Sequence, residues 1–220
     1  MPNKDSLSSG FVGEDIPSQE SMFSNISEFY RSESGYSCLH LCRRYGKLHI
    51  LKSLQPLFKQ EEFYKQLLHK EFNIGYQLDH PNIRHTIDWE QQEDLGLCIV
   101  MEYVDGISLK EFMIQGKLTQ PLAYKFIREL CEALHYIHSK QLVHKDLKPE
   151  NIIITHNGNN VKLIDFGLSD RDDYDTLKIP AGTKKYLAPE QLLPHASLDC
   201  RTDIYSLGVI IQDITSVIKD

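Results

Sequence analysis

Apolar residues in this chain follow two rhythms. Between residues 29 and 54 they come in short stretches, CLHLC and then LHILKSL, divided by the turn-forming strings SESGYS and RRYGK, with Gly46 placed to turn a hairpin. That pattern predicts a three-stranded antiparallel meander. From 61 to 78 the spacing lengthens: Phe63, Leu67, Leu68, Phe72, Ile74 and Leu78 make one stripe among Lys, Glu and Gln, which predicts an amphipathic helix ended by Asp79-His80-Pro81. IRHTIDWE and LGLCIVMEYV return to strand character on either side of the polar turn QQED. After them the helical period governs residues 109–114, 121–139 and 203–218. Strands first and helices afterwards indicate an α+β protein of two lobes rather than a βαβ repeat. The expected division is a lobe over 26–103, with a small antiparallel sheet and one helix, and a mainly helical lobe over 104–220.

Composition narrows the class. The 220 residues are 41% hydrophobic and 25% charged, which suits a globular chain. Residues 1–25 are rich in Ser, Gly and Pro with sparse apolar anchors, and read as a flexible leader without the apolar core of a signal peptide. The 31 acidic against 24 basic residues, a net charge of -7, speak against a nucleic-acid or anionic-membrane surface. No stretch approaches the roughly 18–20 apolar residues of a membrane-spanning helix, so a cytoplasmic location is the expectation. Cys38, Cys42, Cys98, Cys131 and Cys200 are scattered, odd in number and form no C-x-x-C pair, the pattern of reduced core thiols.

One string carries chemistry. In His144-Lys145-Asp146-Leu147-Lys148-Pro149-Glu150-Asn151, an Asp and an Asn five apart on a loop can accept a hydroxyl proton and hold a divalent metal, with Lys148 between them to offset phosphate charge. The strand VKLI then delivers Asp165-Phe166-Gly167. A carboxylate at a strand end offers the oxygen ligand Mg²⁺ prefers, and the glycine lets the backbone turn.

From about residue 29 onward the chain resembles the eukaryotic-type (Hanks-type) serine/threonine protein kinases. HKDLKPEN resembles the family's catalytic loop, Asp165-Phe166-Gly167 its metal-binding triplet, GTKKYLAPE the segment ending in Ala-Pro-Glu, and DIYSLGVII the buried helix that follows. The resemblance implies a bilobal fold that binds ATP with Mg²⁺, or Mn²⁺ in its place. It makes Asp146 the catalytic base, Lys148 the phosphate-stabilising lysine, and Asn151 and Asp165 the metal ligands. LHILKSL implies Lys52 as the lysine that grips the ATP phosphates, and EFNIGYQLDHPNI implies Glu71 as its partner. It further implies Ser34, Gly35, Tyr36 and Ser37 along the phosphates, Leu39, Ile50 and Ile153 about the adenine, Met101 guarding the pocket behind it, and the backbone of Glu102, Tyr103 and Val104 at its edge. Lys148 and Thr183 are the types found in serine/threonine rather than tyrosine kinases, which implies a protein Ser or Thr hydroxyl as acceptor.

Several positions depart from the family. The phosphate loop falls on Ser32-Glu33-Ser34-Gly35-Tyr36-Ser37, with Ser at all three glycine positions, where the Cβ restricts the backbone that must approach phosphate. Ile50 stands where Ala is usual over adenine. An apolar stack that includes His144 and Phe166 is thin at Gly75 and Thr86, which predicts that the Glu71 helix is loosely held and needs a partner or the leader to seat it. Lys145 replaces the Arg that commonly receives a phosphate and lacks its bidentate fork. Ile179 occupies a frequent phosphosite, leaving Ser169, Tyr174 and Thr176 as hydroxyls for control by phosphorylation. The family continues past the helix over 203–218 with further helices that supply an Arg partner for Glu190, so the expected fold lacks its last helices; a truncated gene product, a fragment, or a short kinase completed or activated by a partner chain each account for this. Two other readings stand beside an active kinase: a kinase-like binding scaffold, and a small-molecule phosphotransferase, against which residues 182–190 speak.

Overall fold

The computed structural model describes residues 23–32, 35–166, 181–193 and 195–218. β1 (Ser24–Arg31), β2 (Ser37–Arg44) and β3 (Lys47–Leu54) form the predicted meander. With β4 (Thr86–Gln92) and β5 (Gly96–Glu102) they make a five-stranded antiparallel sheet ordered β1-β2-β3-β5-β4. Tyr45 and Gly46, at φ of 49° and 76°, supply the left-handed pair that a two-residue hairpin turn requires. Two boundaries differ from expectation. β1 starts two residues before Ile26, because Phe23 packs with Cys42, Leu51, Cys98 and Val100 on one face of the sheet. β4 runs through Gln92, so residues 93–95 rather than QQED make the turn.

α1 (Glu62–Tyr76) covers the other face, where Leu67 and Leu68 meet Ile50, Leu54, Ile99 and Met101. Phe63, placed in the buried stripe by the sequence pattern, is exposed. Glu71 and Gly75 lie one turn apart on the buried side of the helix, so a carboxylate is carried into the apolar layer between α1 and the sheet.

The second part holds α2 (Leu109–Ile114), α3 (Gln120–Ser139) and α4 (Cys200–Val217) around a small antiparallel sheet of β6 (Gly106–Ser108), β7 (Ile152–Thr155) and β8 (Val161–Leu163). A capping box starts α2: Ser108 Oγ accepts from Glu111 N–H and the Glu111 carboxylate accepts from Ser108 N–H. α3 buries Ala123, Phe126, Leu130, Ala133, Leu134 and Ile137 at helical spacing against Leu163, Leu207 and Ile210. Gly106 must be glycine, since a Cβ there would overlap the Ile154 carbonyl.

Polar groups join the two parts. Asn82 donates from Nδ2 to the Val161 carbonyl at 2.9 Å and to Glu129 at 3.3 Å, while its own carbonyl accepts from Leu163 N–H at 2.8 Å. Glu129, buried on α3, accepts from Val161 N–H at 2.7 Å and pairs with Lys125 at 2.8 Å. The His-Pro-Asn-Ile string therefore fastens the link after α1 onto β8. Cys38, Cys42 and Cys98 are core thiols, but Cys131 and Cys200 are exposed on α3 and α4, which corrects the expectation of five buried thiols. Among the described residues no helix is long and apolar enough to cross a membrane.

Candidate active site

Lys52 sits at the centre of the cleft. Register places it opposite Leu39 on β2 and Ile99 on β5, and its Nζ donates to Glu71 Oε1 at 2.7 Å and to Asp165 Oδ1 at 3.0 Å. Burial alone would lower the lysine's pKa, but the Asp165 and Glu71 charges outweigh it and hold the group above its ordinary range, so it stays a cation. Burial raises the Glu71 pKa against the pull of Lys52. The expectation of a loosely held α1 is thereby corrected: the Lys52–Glu71 pair is formed. Gly75 also closes on β4 instead of leaving a gap, since a Cβ at 75 would collide with the Thr86 hydroxyl.

Asp146 lies on the loop between α3 and β7. Its Oδ2 accepts from Lys148 Nζ at 2.7 Å and from Asn151 Nδ2 at 2.9 Å, and the same Nδ2 donates to the Asp146 carbonyl. Both side-chain contacts use Oδ2. Burial raises the Asp146 pKa and Lys148 opposes the rise. Asn151 commits its nitrogen to Asp146 and keeps Oδ1 as an oxygen donor. Ile164 N–H donates to the Asn151 carbonyl at 2.9 Å, which brings Asn151 beside Asp165. Asp165 takes the left-handed φ of 67°, and its side chain is 42% exposed. Two hard oxygen donors side by side, next to Lys52, fit a small divalent cation that keeps several waters.

The loop is held from below. Asp203, fully buried on α4, accepts from His144 N–H at 2.8 Å and from Lys145 N–H at 2.9 Å, and contacts His138 Nε2 at 2.7 Å. His144 accepts from Asp146 N–H at Nδ1, which leaves the proton on Nε2 for the Ile164 carbonyl at 3.2 Å, and its ring meets Phe166 edge-on at 5.1 Å. Gln191 donates to the Lys145 carbonyl at 2.8 Å. Lys145 itself is buried with φ of 64°. Glu190, half-buried, accepts from Thr202 Oγ1 at 3.0 Å. Asp203 and Gln191 were not singled out in the sequence; the one signal for Asp203 was a carboxylate inside the apolar string DIYSLGVII.

The expected adenine residues fall on the strands that face Lys52. Ile50 is opposite Met101 and both are buried, Leu39 and Leu41 pack on the same cluster, and Ile153 is half-exposed on β7 between the core residues Ile152 and Ile154. Glu102 N–H already donates to the His85 carbonyl at 3.0 Å, and its carboxylate binds Lys162, so adenine contacts at this edge would fall to the Glu102 carbonyl, Tyr103 and Val104. A separate cavity of about 530 Å³ lies against residues 102–105, lined also by Asn82, Glu129 and Lys162; it holds none of Lys52, Leu39, Ile50 or Ile153.

In the phosphate loop, Ser34 lies outside the described residues. Gly35 N–H donates to Ser32 Oγ, and Tyr36 turns inward, its ring 5.5 Å from that of Tyr64 on α1. Gln55 ties the loop: its Nε2 donates to the Ser32, Gly35 and Ser37 carbonyls, and its N–H to that of Tyr36. Gly167, Ser169, Tyr174, Thr176 and Ile179 lie outside the described residues, as does the Thr183 side chain. Glu28, Cys38 and His40 bring potential ligand atoms within 4.8 Å of one another, but Arg31 donates to both Glu28 carboxylate oxygens, from Nε and Nη2, which disfavours a cation there.

A lysine bridged to two carboxylates, with an Asp-Lys-Asn loop opposite, defines a phosphotransfer site set between two lobes. Residues 33–217 match the protein kinase domain family, and the chain belongs to it. It is 33% identical over 179 residues to a probable serine/threonine-protein kinase of Clostridium perfringens, covering 80% of this chain and 26% of that one. It is 32% identical over 168 residues to the serine/threonine-protein kinase PrkC of Bacillus subtilis, covering 74% and 26%. Against human myosin light chain kinase 3 it is 39% identical over 150 residues, covering 66% and 18%. The chain thus spans about a quarter or less of the length of these relatives. The family match makes this a protein kinase domain, of a class that uses ATP and a divalent metal, and these relatives are named as serine/threonine or myosin light chain kinases.

Proposed function

We propose that this domain transfers the ATP γ-phosphate to a Ser or Thr hydroxyl of a protein, with Mg²⁺ as the metal. Lys52 bridging Glu71 and Asp165 is the observation that carries the reading, because it sets a phosphate-binding cation beside a metal-binding carboxylate. Asn151 and Asp165 would hold the metal, which when bound offsets charge on the phosphate oxygens. Asp146 orients the acceptor hydroxyl through Oδ1 and takes up its proton. Lys148, fixed on Asp146 Oδ2, faces the charge that develops on the transferred group. The nucleotide-holding lobe in this reading covers 26–103, supported by the sheet that ends at Glu102, and the second lobe begins at 104. A reducing, cytoplasmic setting agrees with the unpaired thiols among the described residues. The scaffold reading is not favoured, since Lys52, Glu71, Asp146, Asn151 and Asp165 are all in place.

The test is phosphate transfer from labelled ATP to a Ser/Thr peptide mixture or to the chain itself, with Asp146→Asn as control. Mg²⁺-dependent transfer lost in the variant supports the reading. Thermal stabilisation by ATP without transfer would return the scaffold.

A further inference from the structure

Gln55 follows β3 directly and carries it one residue further, at φ of -62° and ψ of 151°, with its N–H donated to the Tyr36 carbonyl at 2.8 Å. Its side chain turns back on the phosphate loop. Nε2 lies 2.7 Å from the Ser32 carbonyl oxygen, 3.0 Å from that of Gly35 and 3.3 Å from that of Ser37. An amide nitrogen carries two hydrogens, so the carbonyls share them. With the backbone bond included, Gln55 gathers the oxygens of three successive residues, Gly35, Tyr36 and Ser37. Along a regular strand successive carbonyls point to alternate sides, so this convergence is a shape imposed on the loop.

Other side chains hold the same segment. Ser32 Oγ accepts from Gly35 N–H at 2.9 Å, and a Cβ at 35 would overlap that oxygen, so the glycine admits the serine hydroxyl. Tyr36 is buried in one cluster with Ile50 and Leu54, which flank Lys52 along its own face of β3, and its ring meets that of Tyr64 on α1 at 5.5 Å. This end of the loop therefore lies on the face that carries Lys52.

A trans peptide sets its N–H opposite its carbonyl. With the Gly35 carbonyl held by Gln55, the Tyr36 N–H is turned the other way. Rotation of that peptide would exchange the N–H for an oxygen, and a carbonyl oxygen repels phosphate. Glycine at 35 leaves such rotation easy unless a side chain opposes it.

We propose that Gln55 is a positioning residue for the nucleotide: its amide gathers the loop carbonyls to one side and keeps the Gly35–Tyr36 peptide from setting its oxygen against phosphate. Serine stands at 32, 34 and 37 where the resemblance leads one to expect glycine, and the tie from Gln55 gives this loop a fixed shape in place of a pliant one. The proposal rests on the reading of the cleft as a nucleotide site.

The test uses the full chain and Gln55→Met, which nearly keeps the length and loses both donors. Calorimetry reads the binding of adenosine and of ADP with Mg²⁺. Amide hydrogen exchange reads residues 35–37, with α3 as internal reference. Gln55→Met should weaken ADP at least about fivefold, the scale of one lost hydrogen bond, and leave adenosine within about twofold of the parent. Exchange over 35–37 should rise at least about tenfold with α3 unchanged. Equal weakening of adenosine and ADP would make Gln55 a support of the whole lobe and overturn the proposal. Faster exchange with ADP unaffected would overturn it too, as would weaker ADP with exchange at the parent rate. Should Gln55→Met not fold, Gln55→Asn, one methylene too short to reach all three carbonyls, gives the same comparison. A parent chain that binds neither adenosine nor ADP would overturn the nucleotide reading itself, a result distinct from a parent and a variant that bind both alike.

Discussion

A Cβ at Gly75 would overlap the Thr86 hydroxyl, so α1 packs on β4 at this point because position 75 has no side chain. An Ala at 75 would add about 1 kcal/mol of helix propensity in an open helix. Here the overlap with Thr86 should reverse the sign. Gly75→Ala is expected to destabilise by about 1–3 kcal/mol. Pairing it with Thr86→Ala removes the colliding hydroxyl and should recover most of the loss, as thermal unfolding of the four-member cycle will show.

Removing Lys52 leaves Glu71 buried without its ion-pair partner. Lys52→Met should abolish transfer and also destabilise by about 3 kcal/mol, roughly 6–12 °C in Tm. Adding Glu71→Leu should restore stability but not transfer. Stability restored with activity still absent separates the electrostatic role of the pair from its packing.

Asp203 accepts two backbone N–H groups of the catalytic loop from a fully buried position. Asp203→Ala orphans both donors and should cost about 3 kcal/mol in urea unfolding. Asp203→Asn keeps the volume and can still accept, so it should cost less, while lowering the transfer rate through a displaced Asp146.

Thiol chemistry reads the fold independently. Burial pushes Cys42 up to about 11 and Cys98 up to about 12, so at pH 8 each is thiolate in well under 1% of molecules. Cys131 is exposed but also raised, first by burial and then by Glu132. A raised thiol pKa means less thiolate at any lower pH, so labelling should rise as pH is increased. Alkylation of the native protein should modify Cys200 first, Cys131 more slowly and the three core thiols last; mass spectrometry after timed quenching gives the order.

The phosphate loop offers a separate test. Gln55→Ala removes the amide that holds three loop carbonyls and should raise hydrogen exchange over residues 35–37 without changing α3.

Local pattern accounts for what was legible. Tyr45-Gly46 declares its turn because few residue pairs take two left-handed conformations. Asp146, Asn151 and Asp165 lie on short segments next to strands, where position along the chain is nearly position in space. Lys52 and Glu71 could be paired because the strand and helix that carry them each have a clear period. Gln55 and Asp203 were not legible as site residues, since their work is done on groups remote in sequence or across a turn whose shape no periodicity encodes. The looseness inferred for α1 failed for a related reason: Gly75 reads as a missing side chain, but its meaning depends on how near Thr86 comes.

The hold of Asp203 on His144 and Lys145 spans 59 and 58 residues. During synthesis the N-terminal sheet and α1 can form as they emerge, but the loop bearing Asp146 lacks its Asp203 anchor until α4 has been made. The nascent chain therefore passes through a long interval in which it can assemble its nucleotide-facing half without a set catalytic loop. The loop is completed late, when the carboxylate of Asp203 docks on it.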